Sequence, residues 1–490
     1  MLLCSPLKDL YHTITLKLDY LVQIRPPKEG VLNAYQYFNM KIFLLLLSLL
    51  LSSLVDAHEL YVRGQMLHFL NNPDLSAESY QYFKDGLLVV HDKKIKEVGD
   101  FSELEKTIPV GTKVTHYKEG LILPGFIDTH THYPQLDMIA ANSGGHLLQW
   151  LEKFTFPFEK KFKDQRYANE VANFFLDELI RNGTTTAMVF TTVYPEAVDA
   201  LFKAAEARGM CIIAGEVIGD RNLPEHLIQS PEKASKETEQ LIKKWHQKPQ
   251  SRLLYAITFR FAPTTSPEAF QKIEELKKKY SEVCIHTHIS ENQQETKWSN
   301  QLFGTKNYLD IYDCYHLLSN KTLLAHGVYL TDEEEQRMKT TGTSIAFCPT
   351  SNLFLGSGLF DLKKAEKNGV TVGLGTDVGA GTSFSMLQTL NDAYKVLQLQ
   401  NQNLSPLEGF YLATLGGAKA LALDQKLGNF LPGKEADFIV LNMAGVTPLL
   451  KRRLSYATAL EDKLFVLMTI GDDRSIMATY IDGKLAWSQK

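Results

Sequence analysis

Leu123-Pro124-Gly125-Phe126-Ile127-Asp128-Thr129-His130-Thr131-His132 is an apolar run that ends in two histidines one residue apart. Side chains at i and i+2 of an extended strand point to the same face. His130 and His132 can therefore grip one metal ion from the end of one strand. Imidazole is a preferred ligand of zinc and of related divalent ions. A lone His-x-His is more often a surface or packed pair than a metal grip, so its weight depends on further ligands downstream in the chain.

Outward from this stretch, short apolar runs recur at 184–190, 211–214, 253–257, 283–286, 322–325, 344–347 and 371–374. Most are separated by charged amphipathic segments, such as that from Pro267 to Tyr280. With 121–127 they make eight strands. Strands alternating with helices imply parallel βα units, and eight of them predict an α/β protein built on a closed (β/α)8 TIM-like barrel. Such a barrel carries its chemistry at the C-terminal ends of its strands. Polar residues sit at four of these ends. Strand one ends at His130 and His132, and strand five in His286-Thr287-His288-Ile289-Ser290-Glu291-Asn292. Strand six ends in Ala325-His326-Gly327, and strand eight in Gly375-Thr376-Asp377. Each ending alone has a bland reading, such as a core histidine bonded to a carbonyl. Four on the right strands, in one register, point to a hydrolytic metal site.

At both chain ends the pattern is short and β-rich. Residues 86–90 and 95–99 read as hairpin strands, 436–441 as a buried strand, and 478–484 as a strand with a turn after it. The two ends are expected to meet in one small β-sandwich, with 58–121 and 428–490 as its parts and 122–427 as the barrel. Residues 1–57 form an N-terminal extension. There Met40-Lys41 opens an apolar run, 42–51, that ends near Val55-Asp56-Ala57. A basic start, a short apolar stretch and a V-x-A site make a signal peptide. The run is short for a membrane span, which takes about 20 apolar residues. The expected location is periplasmic or secreted, with translation starting at Met40. The alternatives are a cytoplasmic protein, or membrane contact if the apolar segment is retained.

A net charge of -4 gives no electrostatic reason to expect nucleic acid or an acidic membrane surface as partner. Cys4, Cys211, Cys284, Cys314 and Cys348 form no C-x-x-C pair, which argues against a thiolate zinc site. The P-C-x-x-C signature of the small zinc nucleobase deaminases is absent as well. Cys211, Cys284 and Cys348 read as buried thiols. Gly428-Asn429-Phe430-Leu431-Pro432-Gly433-Lys434 matches the pattern of a phosphate loop, but Glu435 stands where a magnesium-binding hydroxyl belongs. It reads as a turn leading into a strand.

From about Leu121 onward the chain resembles the amidohydrolase superfamily and, within it, guanine deaminases of the bacterial type. The similar stretches include Pro124-Gly125-Phe126-Ile127-Asp128-Thr129-His130, Thr258-Phe259-Arg260-Phe261-Ala262 and His288-Ile289-Ser290-Glu291-Asn292. Phe347-Cys348-Pro349-Thr350-Ser351-Asn352 and Gly375-Thr376-Asp377-Val378-Gly379-Ala380-Gly381 continue the likeness. The metal motifs specify only the superfamily. Gln135, the Arg260-Phe261 pair and the stretch from Cys348 to Phe360 are more specific. The resemblance implies that His130, His132, His288 and Asp377 hold one Zn2+ per chain. It makes His326 a contact of the activated water or the substrate, and places His286 one layer deeper in a structural role. Strand four carries no lysine to bridge a second metal, which favours one ion. Glu216 departs from the lysine often found there, and alters the charge near the barrel mouth. The family implies a homodimer.

The chemistry expected is hydrolytic deamination of guanine to xanthine and ammonia. Zinc makes its water acidic near neutral pH. Glu291 lies three residues past His288 and can reach the same water, so it is the expected proton shuttle. Asp377 can bind metal and accept a proton, and His326 can stabilise developing charge. Arg260 offers a planar fork of donors and Gln135 both a donor and an acceptor. By resemblance they bind the base, with Phe261 beside it. Trp150 and Phe154, spaced i, i+4, fit a plain core better than a pocket wall. The competing readings are an amidohydrolase or chlorohydrolase acting on another substituted heterocycle, and a metal-free scaffold with the same barrel.

Overall fold

The computed structural model describes residues 59–141, 147–249 and 251–489. The expected signal segment lies outside the described residues. Among those described, no helix is long and apolar enough to cross a membrane.

The N-terminal part forms β1 (Glu59–Phe69), β2 (Tyr80–His91), β3 (Lys94–Asp100) and β4 (Val114–Pro124). The barrel strands come next: β5 (Phe126–His132), β6 (Thr184–Phe190), β7 (Cys211–Gly215), the two-residue β8 (Val217–Ile218) and β9 (Leu253–Phe259). Then come β10 (Cys284–Ile289), β11 (Thr322–His326), β12 (Ser344–Phe347) and β13 (Thr371–Leu374). The chain closes with β14 (Phe438–Asn442), β15 (Ile476–Ile481) and β16 (Lys484–Ser488).

All eight expected barrel strands are present, paired in parallel in the order β5-β6-β7-β9-β10-β11-β12-β13, with β8 added beside β9. The barrel closes just past the last strand, where Asp377 N donates to His130 O at 2.8 Å and His132 N to Val378 O at 2.7 Å. β6 is buried along its whole length. That is the behaviour of a parallel strand covered on both faces, which reads as a continuous apolar run without alternation. The helices cover the outer face. In Pro267–Lys279 the Ser266 side chain caps Ala269 N, proline takes the first turn, and lysines fill the last. Ala269, Phe270, Ile273 and Leu276 of that helix are buried, a spacing that puts one stripe on the core.

The apolar run expected as one strand over 121–127 is divided between two sheets. Leu121 to Pro124 pair with β14, and the barrel strand begins at Phe126. Gly125 is the crossing point. Its N–H bonds Asp437 O at 3.1 Å, while the next amide, of Phe126, bonds Gly183 O at 3.0 Å. A Cβ at this position would collide with the side chain of Thr185, so the crossing needs glycine.

The chain ends meet as expected, but as one hydrogen-bonded sheet of seven strands, β16-β15-β14-β4-β1-β2-β3. Bulges in β2, β3, β15 and β16 let it curl. The β3 edge folds back onto the segment leading into β14, with Lys94 bridging Glu435 and Ala436 N donating to Lys93 O at 2.9 Å. Val62, Leu88, Ile95, Phe438 and Ala478 share one core cluster inside the curl, which gives the sheet the two-layered character of a sandwich. The phosphate-loop look-alike is a turn in this region. Ile95 N bonds Lys434 O at 2.8 Å, and the Lys434 ammonium bonds Leu427 O at 3.3 Å.

Candidate metal centre and cleft

Four side chains from three strand ends converge at the C-terminal mouth of the barrel. His130 Nε2 and His132 Nε2 lie 3.1 and 3.2 Å from Asp377 Oδ1. The two Nε2 atoms are 3.1 Å apart, and His288 Nε2 is 3.3 Å from that of His132. Lone pairs this close repel unless a cation or protons lie between them. A tetrahedral zinc with bonds of about 2.0–2.1 Å sets its ligands roughly 3.3 Å apart, so the donor set fits such an ion. The protonation states fit too. Burial pushes His132 down to about 3 and His288 well below the usual imidazole range, which keeps both as neutral ligands. Burial alone would raise Asp377, but the imidazoles of His130, His132 and His326 outweigh it and hold the carboxyl well below its ordinary value.

The remaining ring nitrogens orient these ligands. His288 Nδ1 bonds Arg260 O at 2.6 Å, which directs Nε2 to the centre. His286 Nε2 lies 2.8 Å from His130 Nδ1, so this deeper histidine braces a ligand and stands outside the four-donor cluster. Asp128 is fully buried and accepts from Thr376 N at 3.0 Å and His130 N at 3.2 Å, which ties the first strand end to the eighth. Cys348 shares a second grouping with His326 and Asp377, but burial raises its thiol well above the ordinary range, which disfavours a thiolate ligand.

The backbone at the mouth is unusual. Ser290, His326 and Asp377, all non-glycine, have φ of 45°, 74° and 49°. Left-handed backbone of this kind at buried non-glycine residues is costly and gathers at functional sites.

A cleft of about 410 Å³ opens onto the cluster and is lined by His132, Gln135, Arg260, Phe261, His288, Glu291, His326 and Asp377, among others. The structure thus brings all nine sequence-derived site residues but His130 to the cleft wall, and His130 lies directly beneath in the cluster. Gln135 Oε1 accepts from Gly379 N at 3.1 Å, which leaves its NH2 for a ligand. Phe261 packs edge-on against Trp298 with ring centroids 6.1 Å apart. Glu291 is pushed up to about 8 by burial and by the Asp377 charge, so it holds a proton near neutral pH.

Several site residues escaped the sequence reading. Arg260 is ion-paired with Glu159, and both are buried. Trp150, expected as plain core, lines the cleft with Leu147 and Leu151. Just after Trp150 the chain makes one π-helical turn, Leu151–Thr155, a form frequent at functional sites. Glu216 does not line the cleft. Its carboxyl bonds Gln229 at 2.8 Å, and burial raises it well above the ordinary range, which favours the neutral acid over an added charge.

The chain matches the amidohydrolase family model over residues 121–486. It is 50% identical to the guanine deaminase of Escherichia coli (strain K12) over 432 residues, covering 87% of this chain and 98% of that protein. The solved structure of E. coli guanine deaminase superposes with a TM-score of 0.84 at 48% identity, over 88% of this chain and all of that one. A guanine deaminase from C. acetobutylicum, solved with guanine in its active site, superposes with a TM-score of 0.78 at 28% identity, over 87% of this chain and 100% of the other.

Proposed function

The chain belongs to the amidohydrolase family, and within it to the guanine deaminases, and we propose that its cleft hydrolyses guanine to xanthine and ammonia. The observation that carries this reading is one cleft that holds both the four-donor cluster and a wall of Gln135, Arg260 and Phe261. A single zinc per chain, held by His130, His132, His288 and Asp377, supplies water activation at neutral pH.

The chain's own residues do the rest. Arg260 presents guanidinium donors to a purine carbonyl, with its charge balanced by Glu159. The Gln135 NH2 donates to a ring or carbonyl acceptor of the base, and Phe261 forms an apolar wall. Glu291, protonated near neutrality, can give its proton to a ring nitrogen; the carboxylate left behind can then take the proton of the added hydroxyl and pass it to the departing amine. His326, beside both carboxyls, orients the water and stabilises charge that develops on the ring.

The test is ammonia release from guanine, adenine, cytosine and 8-oxoguanine. Guanine is expected to be the best substrate, and another preference refutes the assignment. Metal analysis is expected to find zinc at one ion per chain. We further propose a homodimer, on the family likeness, and export, on the basic-apolar-V-x-A pattern of 40–57. Sedimentation and N-terminal sequencing of the mature protein check these. A mature chain starting at Met1 would sink the export reading.

A further inference from the structure

The seventh barrel strand gives no ligand and no residue to the expected set, yet the segment after it touches two of the groups that handle protons. Asn352 lies in the short helix Pro349–Phe354 just past β12, and its Oδ1 accepts from His326 Nδ1 at 2.9 Å. An amide oxygen can only accept, so Nδ1 carries the proton of this bond and Nε2 is the atom that faces the cleft. That Nε2 lies 3.6 Å from Glu291 Oε2 and 3.8 Å from Asp377 Oδ2. Five residues on, the Ser357 hydroxyl donates to Glu291 Oε1 at 3.1 Å. One carboxyl oxygen is thereby tied, and Oε2 is left as the atom that faces His326.

The two contacts belong to one rigid piece. Ser357 N donates to Asn352 O at 2.8 Å, and the Tyr329 hydroxyl donates to Ser357 O at 2.6 Å. Glycines flank Ser357, with φ of 63° at Gly356 and 143° at Gly358. A Cβ at Gly358 would come within 2.7 Å of the Tyr329 hydroxyl, so the close turn that delivers Ser357 requires glycine there. Asn352, Ser357, His326 and Glu291 are all buried.

We propose that residues 349–358 are a clamp that sets the proton-handling pair, with Asn352 and Ser357 as positioning residues for His326 and Glu291. The clamp rests on the deamination reading above. Neither residue touches the four-donor cluster, so both act on the proton steps and not on the metal.

The experiment compares Asn352→Leu and Ser357→Ala with the conservative Asn352→Asp and Ser357→Thr, all with guanine and with zinc content measured. The first two are expected to lower kcat about tenfold or more while KM stays within about threefold and bound zinc is unchanged. The second two are expected to recover most of the loss, since aspartate keeps the acceptor and threonine keeps the donor. Undiminished kcat in Asn352→Leu and Ser357→Ala, a loss confined to KM, or no recovery in the conservative variants each overturns the clamp. Should Asn352→Leu fail to fold, the Ser357 pair decides alone. Unaltered enzyme assayed alongside separates the two readings. No turnover of guanine there refutes the function and the clamp with it, whereas turnover there with undiminished variants refutes the clamp only.

Discussion

In the curled β-sheet, left-handed backbone at non-glycine residues falls where the chain reverses, and at the barrel mouth it falls on the functional residues. Asp92 (φ 45°) and Lys93 (φ 68°) form the two-residue turn between β2 and β3, and Asp482 (φ 52°) with Gly483 (φ 70°) forms that between β15 and β16. With positive φ at both positions these are two-residue hairpin turns of the primed kind, whose twist matches that of the flanking strands. No such hairpin lies at Ser290, His326 or Asp377. There the same conformation turns the chain away from the strand just where His326 and Asp377 must face the cleft and where Glu291 comes next. One conformation serves the fold in the first region and the chemistry in the second.

The sharpest way to test that contrast is to remove the chemistry while leaving the backbone. Glu291→Gln is expected to cost turnover by about 10²–10⁴-fold, the usual weight of a general acid-base group. Bound zinc and thermal stability should hold, since glutamine keeps the bond from Ser357 and removes a buried acid. Activity assays, metal analysis and a melting curve read all three. Retained activity would take Glu291 out of the mechanism.

The next effect concerns the wall of the cleft. Glu159→Leu leaves the Arg260 charge buried without its partner, which destabilises by about 3–5 kcal/mol when an ion pair is broken from one side. Glu159→Gln keeps a hydrogen-bond acceptor and is the better kinetic probe. It is expected to raise KM for guanine about tenfold with a smaller change in kcat, since the guanidinium loses its orienting charge. An unchanged KM means that Arg260 does not need Glu159 to bind the base.

The pair also shows where sequence reading stops. His130, His132, His288, His326 and Asp377 were legible because each ends an apolar strand, and barrel geometry turns that position into convergence. Glu159 was not, because it sits in Phe156-Pro157-Phe158-Glu159-Lys160-Lys161, where a carboxylate beside lysines reads as a solvated face. Its partner lies 101 residues on. Asn352 and Ser357 were hidden for the same reason, since a short polar side chain in a loop shows its purpose only through what it touches. The fold was legible down to the strand count. The division of 121–127 at Gly125 was not, because apolar residues continue through the crossing and only the clash with Thr185 marks it.

In the β-sheet the corresponding effect is on stability alone. His68 is fully buried in β1, stacked near Phe83, and burial pushes it down to about 4 from 6.5. The unfolded chain therefore binds a proton below pH 6.5 that the folded chain refuses until about pH 4. Stability from this group is full above pH 6.5 and declines as pH falls through that window, by on the order of 3 kcal/mol in all. Urea unfolding at pH 7 and pH 4.5 should show the decline, and His68→Leu should remove most of it while leaving kcat at neutral pH unchanged. An equal decline in the variant means that other groups carry the acid sensitivity.

The smallest effects compare the two regions most directly. Lys93→Gly relieves left-handed backbone in the hairpin turn but gives up an ion pair with Asp482 at 3.2 Å, half exposed on the lysine side. An exposed pair is worth about 0–1 kcal/mol, and glycine offsets strain relief with its own entropy, so the net change in stability should stay within about 0.5 kcal/mol. Turnover should not move at all. Ser290→Gly makes the same backbone relief at the barrel mouth, next to Glu291. Stability should again change by less than about 1 kcal/mol, but kcat should fall about tenfold, because a glycine there no longer restricts the path that delivers Glu291. If both glycines leave kcat untouched, the left-handed residues at the mouth are only another way of turning a chain, and the contrast between the regions disappears.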